Sequence, residues 1–263
     1  MERDGCRLVH FPSQPVQPYG RKMNMTSKDT QEIRIQIAHL QRTSLIDYPG
    51  EISSVVFTQG CNFRCPYCHN PELVDPSRFT EPLDQNEVLS FLSTRKGKCD
   101  AVVITGGEPC IQPGLIPFMR RLKEMKYLVK LDTNGSFPDV LSEILESDLI
   151  DFIAMDVKAP VSRYPHVTRC IFDPGTVARS IRIIMRSGRA FEFRTTLVRE
   201  LLSPEDVLKI GREIEGAPRY VLQRFVASKH VDGRFLKASS FSDEEIANLK
   251  GPLQEMVGKL IVR

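Results

Sequence analysis

The chain has 263 residues, of which 41% are hydrophobic, and this is enough apolar material for one large domain. Its 36 basic and 33 acidic residues nearly balance, and no dense Lys/Arg run suggests binding to nucleic acid or to an anionic membrane surface. Because no apolar stretch is long enough to span a bilayer and the N-terminus lacks the order of a secretory signal, we expect a cytoplasmic protein.

The first segment differs in composition from the rest of the chain. Residues 1–31 are rich in Pro, Gln, Ser and charged side chains without periodicity, which predicts a poorly ordered tail. Residues 32–263 are expected to form a single domain. The alternation of isoleucines over residues 33–37 predicts a short strand, and the apolar run at 52–59 predicts a second one.

Three cysteines follow that second strand directly. Cys61, Cys65 and Cys68 stand within eight residues, and no fourth cysteine is near enough in the sequence to complete a local tetrad. A closed zinc site takes four protein ligands, whereas a site with three leaves one metal position open. Soft thiolates suit both iron–sulfur clusters and zinc. The alternative is a zinc knuckle that adds His69, although the adjacent Cys68 and His69 would chelate one tetrahedral ion awkwardly.

Helices and strands alternate after the cysteine loop. Capping boxes are expected at Asp84 with Glu87, at Ser203 with Asp206 and at Ser242 with Glu245. A further helix is expected to open at Pro113, Pro252 is expected to kink or split the last helix, and the C-terminal KLIVR is expected to form a short strand. Six predicted strands are separated by helix-length connections, and they begin near residues 52, 101, 128, 150, 190 and 219. This pattern predicts an α/β fold of six parallel β/α units. Chemistry in such barrels lies at the carboxyl ends of the strands.

Polar motifs stand where that rule places a site. Counted among the six parallel strands, the first is followed by the cysteines, the second by TGGEP at 105–109, the third by DTNG at 132–135 and the fourth by DVK at 156–158. Any one of them could be an ordinary turn. Their joint position after successive strands favours a common site.

The spacing C-x-x-x-C-x-x-C, with Tyr67 before the last cysteine, resembles that of the radical S-adenosylmethionine superfamily. The resemblance implies a partial (β/α)6 TIM-like barrel of the radical SAM type. It also implies a [4Fe-4S] cluster on Cys61, Cys65 and Cys68, whose open iron is chelated by the amine and carboxylate of S-adenosylmethionine.

The same resemblance implies roles for the other motifs. The run Gly106, Gly107, Glu108 and Pro109 matches a segment that offers backbone groups and a carboxylate to the methionine ammonium, and glycines let a main chain approach a ligand closely. Lys158 would then pair with the methionine carboxylate while Asp156 accepts hydrogen bonds from the ribose. A surface ion pair is the alternative for these two residues.

The closest resemblance is to the glycyl-radical activating enzymes. Their motifs YCHN at 67–70, GGE, DTNG and D-x-K recur here in order, over about residues 33–225. Tyr67 and Asn134 are therefore expected at the cofactor. In the pyruvate formate-lyase activase type, four positions surround a monovalent cation, although a hydrogen-bond network would use the same residues. Those positions match Asp132, Thr133, Met155 and Asp156.

Long matching segments, from RTSLIDYPG to YVLQRF, are most similar to activases of anaerobic ribonucleotide reductase. The resemblance implies reductive cleavage of S-adenosylmethionine to a 5′-deoxyadenosyl radical, which takes hydrogen from a glycine of the partner. It implies a small electron donor such as flavodoxin or ferredoxin. Arg194 is expected at the cofactor carboxylate or the partner peptide, with a structural salt bridge as the alternative.

Some positions and functions stay open. Some activases carry a histidine after the sixth strand, where Gln223 or Arg224 would have to substitute. His69 could meet the cluster or substrate, or it could be a hydrogen-bonded loop residue. The competing functions are a radical enzyme acting on another glycyl-radical enzyme or on a small molecule, and a non-catalytic zinc-binding module. No later cysteine cluster offers auxiliary iron–sulfur centres, which argues against several small-molecule branches.

Overall fold

The computed structural model describes residues 34–228 and 231–263; the tail predicted for residues 1–31 lies outside them. Eight strands form one sheet, and their order in the sheet follows their order in the chain. The strands are β1 (Ile37–Tyr48), β2 (Glu51–Thr58), β3 (Ala101–Gly106), β4 (Leu128–Thr133), β5 (Phe152–Asp156), β6 (Ala190–Leu197), β7 (Tyr220–Arg224) and β8 (Leu260–Val262).

The sheet is an open, mostly parallel half-barrel. Strands β1 and β2 form an antiparallel hairpin, and every later pair from β2–β3 to β7–β8 is parallel. The predicted six parallel β/α units are β2 to β7, and the short C-terminal strand is confirmed as β8. Because β1 and β8 are not paired with each other, the barrel is partial, as predicted.

The first strand differs from its prediction. A short strand was expected over residues 33–37, but β1 begins at Ile37 and runs on to Tyr48, and Ile33 lies outside the described residues. The segment RTSLIDY belongs to this strand because it pairs with β2; Ser44 lies opposite Ser53 and Tyr48 opposite Glu51 in that register. Pairing with a buried neighbour therefore extends β1 through a polar stretch that has no strand-like alternation.

Helices connect the parallel strands, as the alternation predicted. They are α1 (Gln85–Arg95), α2 (Leu115–Glu124), α3 (Pro138–Glu146), α4 (Tyr164–Thr168), α5 (Gly175–Met185), α6 (Pro204–Glu213) and α7 (Asp243–Met256). None of the described helices is both long and apolar enough to cross a bilayer.

The helix starts test the capping predictions. Both reciprocal capping boxes at α6 and α7 are present, formed by Ser203 with Asp206 and Ser242 with Glu245. At α1 the carboxylate of Asp84 accepts from the backbone amides of Asn86 and Glu87, so the N-cap is confirmed, but Glu87 does not return the bond of the predicted capping box. Helix α2 starts at Leu115 rather than at Pro113, because a 3-10 turn over Pro109–Ile111 precedes it. Helix α7 continues through Pro252 without being split.

The two faces of the sheet are buried in different ways. The outer face packs against the helices in the main hydrophobic core. A smaller cluster lines the concave face, with Val55, Val103 and Ala154 among its members. Since side chains alternate along a strand, residues two positions beyond this cluster toward the carboxyl ends point into the concave side as well. Asp156 follows Ala154 by two positions and is thereby aimed at the rim of the half-barrel.

Candidate functional site

The three cysteines of the predicted site share one loop that begins directly after β2. Backbone hydrogen bonds shape this loop: Gly60 N donates to Leu73 O at 2.7 Å, and Arg64 N donates to Thr168 O at 2.9 Å. The guanidinium of Arg64 reaches back to the carbonyl oxygen of Cys61 at 2.7 Å. These hydrogen bonds fix the conformation of the loop, so the loop does not depend on a metal bound to its thiols for its shape.

The thiols themselves are held largely out of water. Cys61 is buried, while Cys65 and Cys68 are half-buried. Burial raises the pKa of Cys65 to about 11 and raises the pKa values of Cys61 and Cys68 as well. A metal that binds here must therefore displace thiol protons. Phe63 N and Asn134 Nδ2 lie 3.4 and 3.9 Å from Cys61 Sγ, and N–H groups directed at sulfur tune the potential of an iron–sulfur centre.

The arrangement is unfavourable for a single zinc ion. Within residues 34–228 and 231–263, no group of three or more His, Cys, Asp or Glu side chains is gathered as ligands of one ion. His69 Nε2 lies 3.0 Å from Val226 O, and the ring stacks on Phe225 with centroids 5.7 Å apart. His69 is thus a hydrogen-bonded loop residue. Thiolates of a cubic cluster bind different irons and do not have to meet at one ion, so three cysteines in one loop are compatible with a cluster.

The glycine pair after β3 packs against the cysteine loop. Gly107 N donates to Thr58 O at 2.9 Å, and Glu108 N donates to Gly60 O at 2.8 Å. A Cβ on Gly107 would lie 2.0 Å from Gly60 O, and Gly106 has a φ of +115°, a backbone conformation that favours glycine. From the sequence, these glycines are expected to let a ligand approach the main chain closely. Their closest approach in the structure is to the start of the cysteine loop, although both also line the pocket.

Glu108 is fully buried between the loops that follow β3 and β4. Its Oε1 accepts from Cys110 N at 3.0 Å and from Thr133 Oγ1 at 2.8 Å, and its Oε2 accepts from Asn134 N at 2.6 Å. Burial raises the pKa of this carboxyl group, and the three hydrogen bonds oppose that rise. One acceptor position on Oε2 remains for a ligand, since a carboxylate oxygen can accept two hydrogen bonds.

Two carboxylates on the concave face share one guanidinium. Arg194 on β6 donates from Nε to Asp156 Oδ1 at 2.8 Å and from Nη1 to Asp132 Oδ2 at 3.2 Å. Lys130 Nζ lies 2.8 Å from Asp132 Oδ1, and Lys158 Nζ lies 3.4 Å from Asp156 Oδ2. Burial alone would raise the pKa values of both aspartates, but Arg194 and the lysines hold them below their usual range. The predicted salt bridge of Arg194 is therefore present, at the wall of the pocket.

The four residues suggested for a monovalent cation do not turn their side chains to one point. Thr133 pairs with Met155 in the β4–β5 register, one position beyond Asp132, so both face away from the aspartates. The Thr133 hydroxyl donates to Glu108, and the Met155 side chain packs beneath Gly135. The carboxylates of Asp132 and Asp156, by contrast, lie together at the pocket beside Arg194.

A cavity of about 250 Å³ lies at the carboxyl ends of β2 to β7 and gathers most of the predicted site. The predicted residues that line it are Cys61, Cys65, Tyr67, Cys68, Gly106, Gly107, Glu108, Asp132, Thr133, Asn134, Asp156, Lys158 and Arg194. Pro109 and Met155 are not in the lining. The pocket therefore combines soft thiolate ligands, an acceptor for an ammonium group and cations for a carboxylate, and this donor set fits both a cluster and S-adenosylmethionine.

Two residues of the lining refine or extend the prediction. Gln223 lines the pocket whereas Arg224 points away and pairs with Asp243, so of the two candidates after the sixth parallel strand only Gln223 is available to a ligand. Thr196 was not predicted. It stands two positions after Arg194 on β6 and therefore shares its face, which is a sequence signal that could have identified it.

Comparisons with known proteins agree with this geometry. The sequence profile of the Radical SAM superfamily matches residues 55–214. A Methanocaldococcus jannaschii protein assigned by name to the glycyl-radical enzyme activating enzymes is 31% identical over 84% of this chain and 92% of its own length. The pyruvate formate-lyase-activating enzyme of Clostridium pasteurianum is 35% identical over 47% of this chain and 52% of its own.

A solved structure supports the fold alone. Streptococcus suis SuiB bound to S-adenosylmethionine superposes with a TM-score of 0.60 at 13% identity, covering 78% of this chain and 48% of that one. At this identity the similarity concerns the arrangement of strands and helices.

Proposed function

The chain belongs to the radical SAM superfamily, and on that premise we propose that it generates a glycyl radical on a partner enzyme by reductive cleavage of S-adenosylmethionine. The observation that carries the proposal is the single pocket that holds the three thiols together with Glu108, Lys158 and Arg194. A metal site with a free position and a site for a zwitterion stand side by side there. The similarity to a protein named for glycyl-radical enzyme activation, along nearly its whole length, supports the choice of substrate.

Cys61, Cys65 and Cys68 would hold a [4Fe-4S] cluster and leave one iron to the cofactor. The bound cluster supplies the single electron that cleaves the sulfonium to methionine and a 5′-deoxyadenosyl radical. Asn134 and the Phe63 amide would direct N–H groups at the Cys61 sulfur and stabilise its negative charge. Burial of the loop keeps water from that sulfur.

The remaining lining residues would orient the cofactor. The free acceptor position of Glu108 suits the methionine ammonium, and the Lys158 ammonium and Arg194 guanidinium suit its carboxylate. Asp156 would accept from the ribose hydroxyls, as the sequence predicted. Gln223 and Thr196 offer an amide and a hydroxyl toward the adenosine or the partner peptide.

A monovalent cation beside the cofactor is a further part of the proposal. If Arg194 turned from Asp132 toward the methionine carboxylate, its positive charge would move away from the two aspartates. A cation bound by their oxygens would then replace that charge. The test compares S-adenosylmethionine affinity in potassium, sodium and tetramethylammonium salts of equal ionic strength. Binding weakened severalfold in tetramethylammonium supports the cation, and equal affinities in all three contradict it.

We propose anaerobic ribonucleotide reductase as the partner, flavodoxin or ferredoxin as the electron donor and the cytoplasm as the location. The reductase and the donor are supported by the long run of segments, from the β1 hairpin to β7, that resemble activases of that reductase. The location is supported by the cysteines of the described residues, which are free thiols, as expected in a reducing compartment. These assignments agree with one another because all three components work in the absence of oxygen: an oxygen-sensitive cluster, a low-potential donor and an anaerobic reductase.

The test begins with protein purified and reconstituted without oxygen. Iron with acid-labile sulfide is expected, and zinc without sulfide contradicts the radical mechanism. The reduced protein is then mixed with S-adenosylmethionine and the reductase, and with a reductase in which the radical-bearing glycine is replaced by alanine. The proposal is supported if the glycyl-radical resonance appears with the unaltered reductase and not with the glycine-to-alanine variant. Cleavage without a radical on any glycyl-radical enzyme would favour a small-molecule substrate.

A further inference from the structure

The cysteine loop separates two cavities. One is the pocket described above, and the other is a groove of about 350 Å³ on the opposite side of the loop. Cys65 and Cys68 line both cavities, whereas Cys61 lines only the pocket. A redox centre held by these thiolates would therefore be covered on the groove side by two of its own ligands.

Positively charged side chains outnumber negatively charged ones in the lining of the groove. Arg64, Arg78 and Arg169 line it, against the carboxylates of Asp75 and Asp232. Among the residues that the structure describes, no carboxylate lies within salt-bridge distance of the Arg64 or Arg78 guanidinium. Asp232 is already shared between Arg169 at 3.0 Å and the exposed Arg234 at 2.9 Å. The charges thus favour an anionic partner.

The walls of the groove are preformed. Asp232 N donates to Pro66 O at 3.1 Å, which ties the segment after β7 to the cysteine loop, and Arg64 N donates to Thr168 O at 2.9 Å, which ties the α4 end to the same loop. Asp75 accepts from Ser77 N at 3.0 Å and so holds the turn that carries Arg78. A partner would meet a surface that needs little rearrangement.

We propose that this groove is the docking surface of an acidic one-electron donor protein. The inference rests on the proposed function, in which one electron must reach the cluster while the cofactor occupies the pocket. The groove is a second cavity bordered by cluster thiolates, so it offers a path that does not cross the cofactor. In each transfer the donor is oxidised by one electron and the cluster is reduced by one, with no bond formed or broken.

Charge should govern this encounter more than contact area. Complementary charges at the rim of an interface mainly raise the association rate, and that gain is lost at high salt. Arg78 is the best residue to change because it is exposed and its guanidinium makes no described ion pair. Arg120 on α2 is an equally exposed arginine outside the groove and provides the matched control.

The experiment measures the rate at which a purified, reduced acidic ferredoxin reduces the reconstituted cluster, followed by stopped-flow absorbance. Arg78→Glu should slow this reduction by about tenfold at low salt, and the difference should vanish at high salt. Arg120→Glu should leave the rate unchanged. The opposite change, Asp75→Asn, keeps an N-cap acceptor while removing a negative charge, and it should accelerate the reduction.

A small reductant separates this inference from the proposed function. Dithionite should reduce the cluster and support S-adenosylmethionine cleavage equally in all variants. If Arg78→Glu reacts with ferredoxin as fast as Arg120→Glu does, the groove is not the docking surface, whatever the outcome with dithionite. If dithionite supports no cleavage in any variant, the proposed function fails, while the ferredoxin rates still decide the docking site.

Discussion

Arg194 Nε lies 2.8 Å from Asp156 Oδ1 on the neighbouring strand, and the same guanidinium also reaches Asp132. Three adjacent strands are thus linked at the rim of the half-barrel by one side chain that is 12% exposed. The link holds two carboxylates in place at a wall of the pocket, and the guanidinium itself also lines that pocket.

Replacement of Arg194 by methionine should cost both stability and cofactor binding. The change leaves two partly exposed carboxylates, 13% and 34% accessible, without their shared cation, so we expect a cost of about 1 to 3 kcal/mol, between that of an exposed pair and that of a buried one. Urea unfolding and equilibrium dialysis with S-adenosylmethionine measure the two effects. Arg179→Met is the control because Arg179 and its partner Asp139 are both more than half exposed; it should cost less than about 0.5 kcal/mol. Equal losses in the two variants would contradict the account.

The same network should shape the acid limb of the stability curve. The folded pKa values of Asp132 and Asp156 lie below the ordinary value of 3.8. Their contribution is therefore complete above that value and is lost as the pH falls through the lower folded values. Between about pH 5 and about pH 2, the Asp132→Asn variant should lose less free energy of unfolding than the wild type does. Urea titrations at a series of pH values measure this, and parallel curves would count against it.

Gly107→Ala should disrupt the contact between the β3 loop and the cysteine loop. The added Cβ would lie 2.0 Å from Gly60 O, a backbone atom that has no room to move aside. We expect a loss of about 1 to 3 kcal/mol in the free energy of unfolding, as in overpacked cores, and a lower iron content after reconstitution. Gly251→Ala, inside α7 with nothing within 4 Å, should instead stabilise the protein by about 0.5 to 1 kcal/mol. A Gly107 variant with full stability and iron content would refute the packing argument.

Cys65→Ala should abolish both the cluster and cofactor cleavage. Cys65 is one of the two thiols that border both cavities, and two remaining thiolates cannot hold a cubic cluster. Iron and sulfide analysis with detection of 5′-deoxyadenosine measures the result. Cys99→Ala is the matched control, since Cys99 is buried and contacts backbone carbonyls of Ile52 and Ala101 away from the pocket. It should keep the cluster; loss of iron in both variants would point to misfolding rather than ligand loss.

The sequence predicted the features that depend on local signals. Three cysteines in one loop, apolar runs separated by helix-length segments and polar motifs after each run are all readable along the chain. These local signals were enough to predict the half-barrel and most of the residues that line the pocket, because parallel strands bring their carboxyl ends to one edge of the sheet. The N-caps of α6 and α7 were also predictable, since a capping box lies within four residues.

The features that the sequence did not predict depend on contacts distant in sequence. The extent of β1 follows from its pairing with β2, and a polar segment gives no sign of that pairing. The burial of Glu108 depends on donors from the β4 loop, so the sequence could suggest a ligand contact but not the three internal hydrogen bonds. The outward turn of Thr133 and Met155 follows from the sheet register, which a residue list does not contain.

The most direct measurement is an isotope experiment on the transferred hydrogen. The reduced protein, S-adenosylmethionine and anaerobic ribonucleotide reductase containing α-deuterated glycine are mixed without oxygen, and the products are followed by electron paramagnetic resonance and mass spectrometry. The account predicts a glycyl-radical signal whose splitting collapses relative to protonated reductase, together with deuterium in 5′-deoxyadenosine. Formation of 5′-deoxyadenosine without deuterium and without a glycyl radical on the reductase would contradict it.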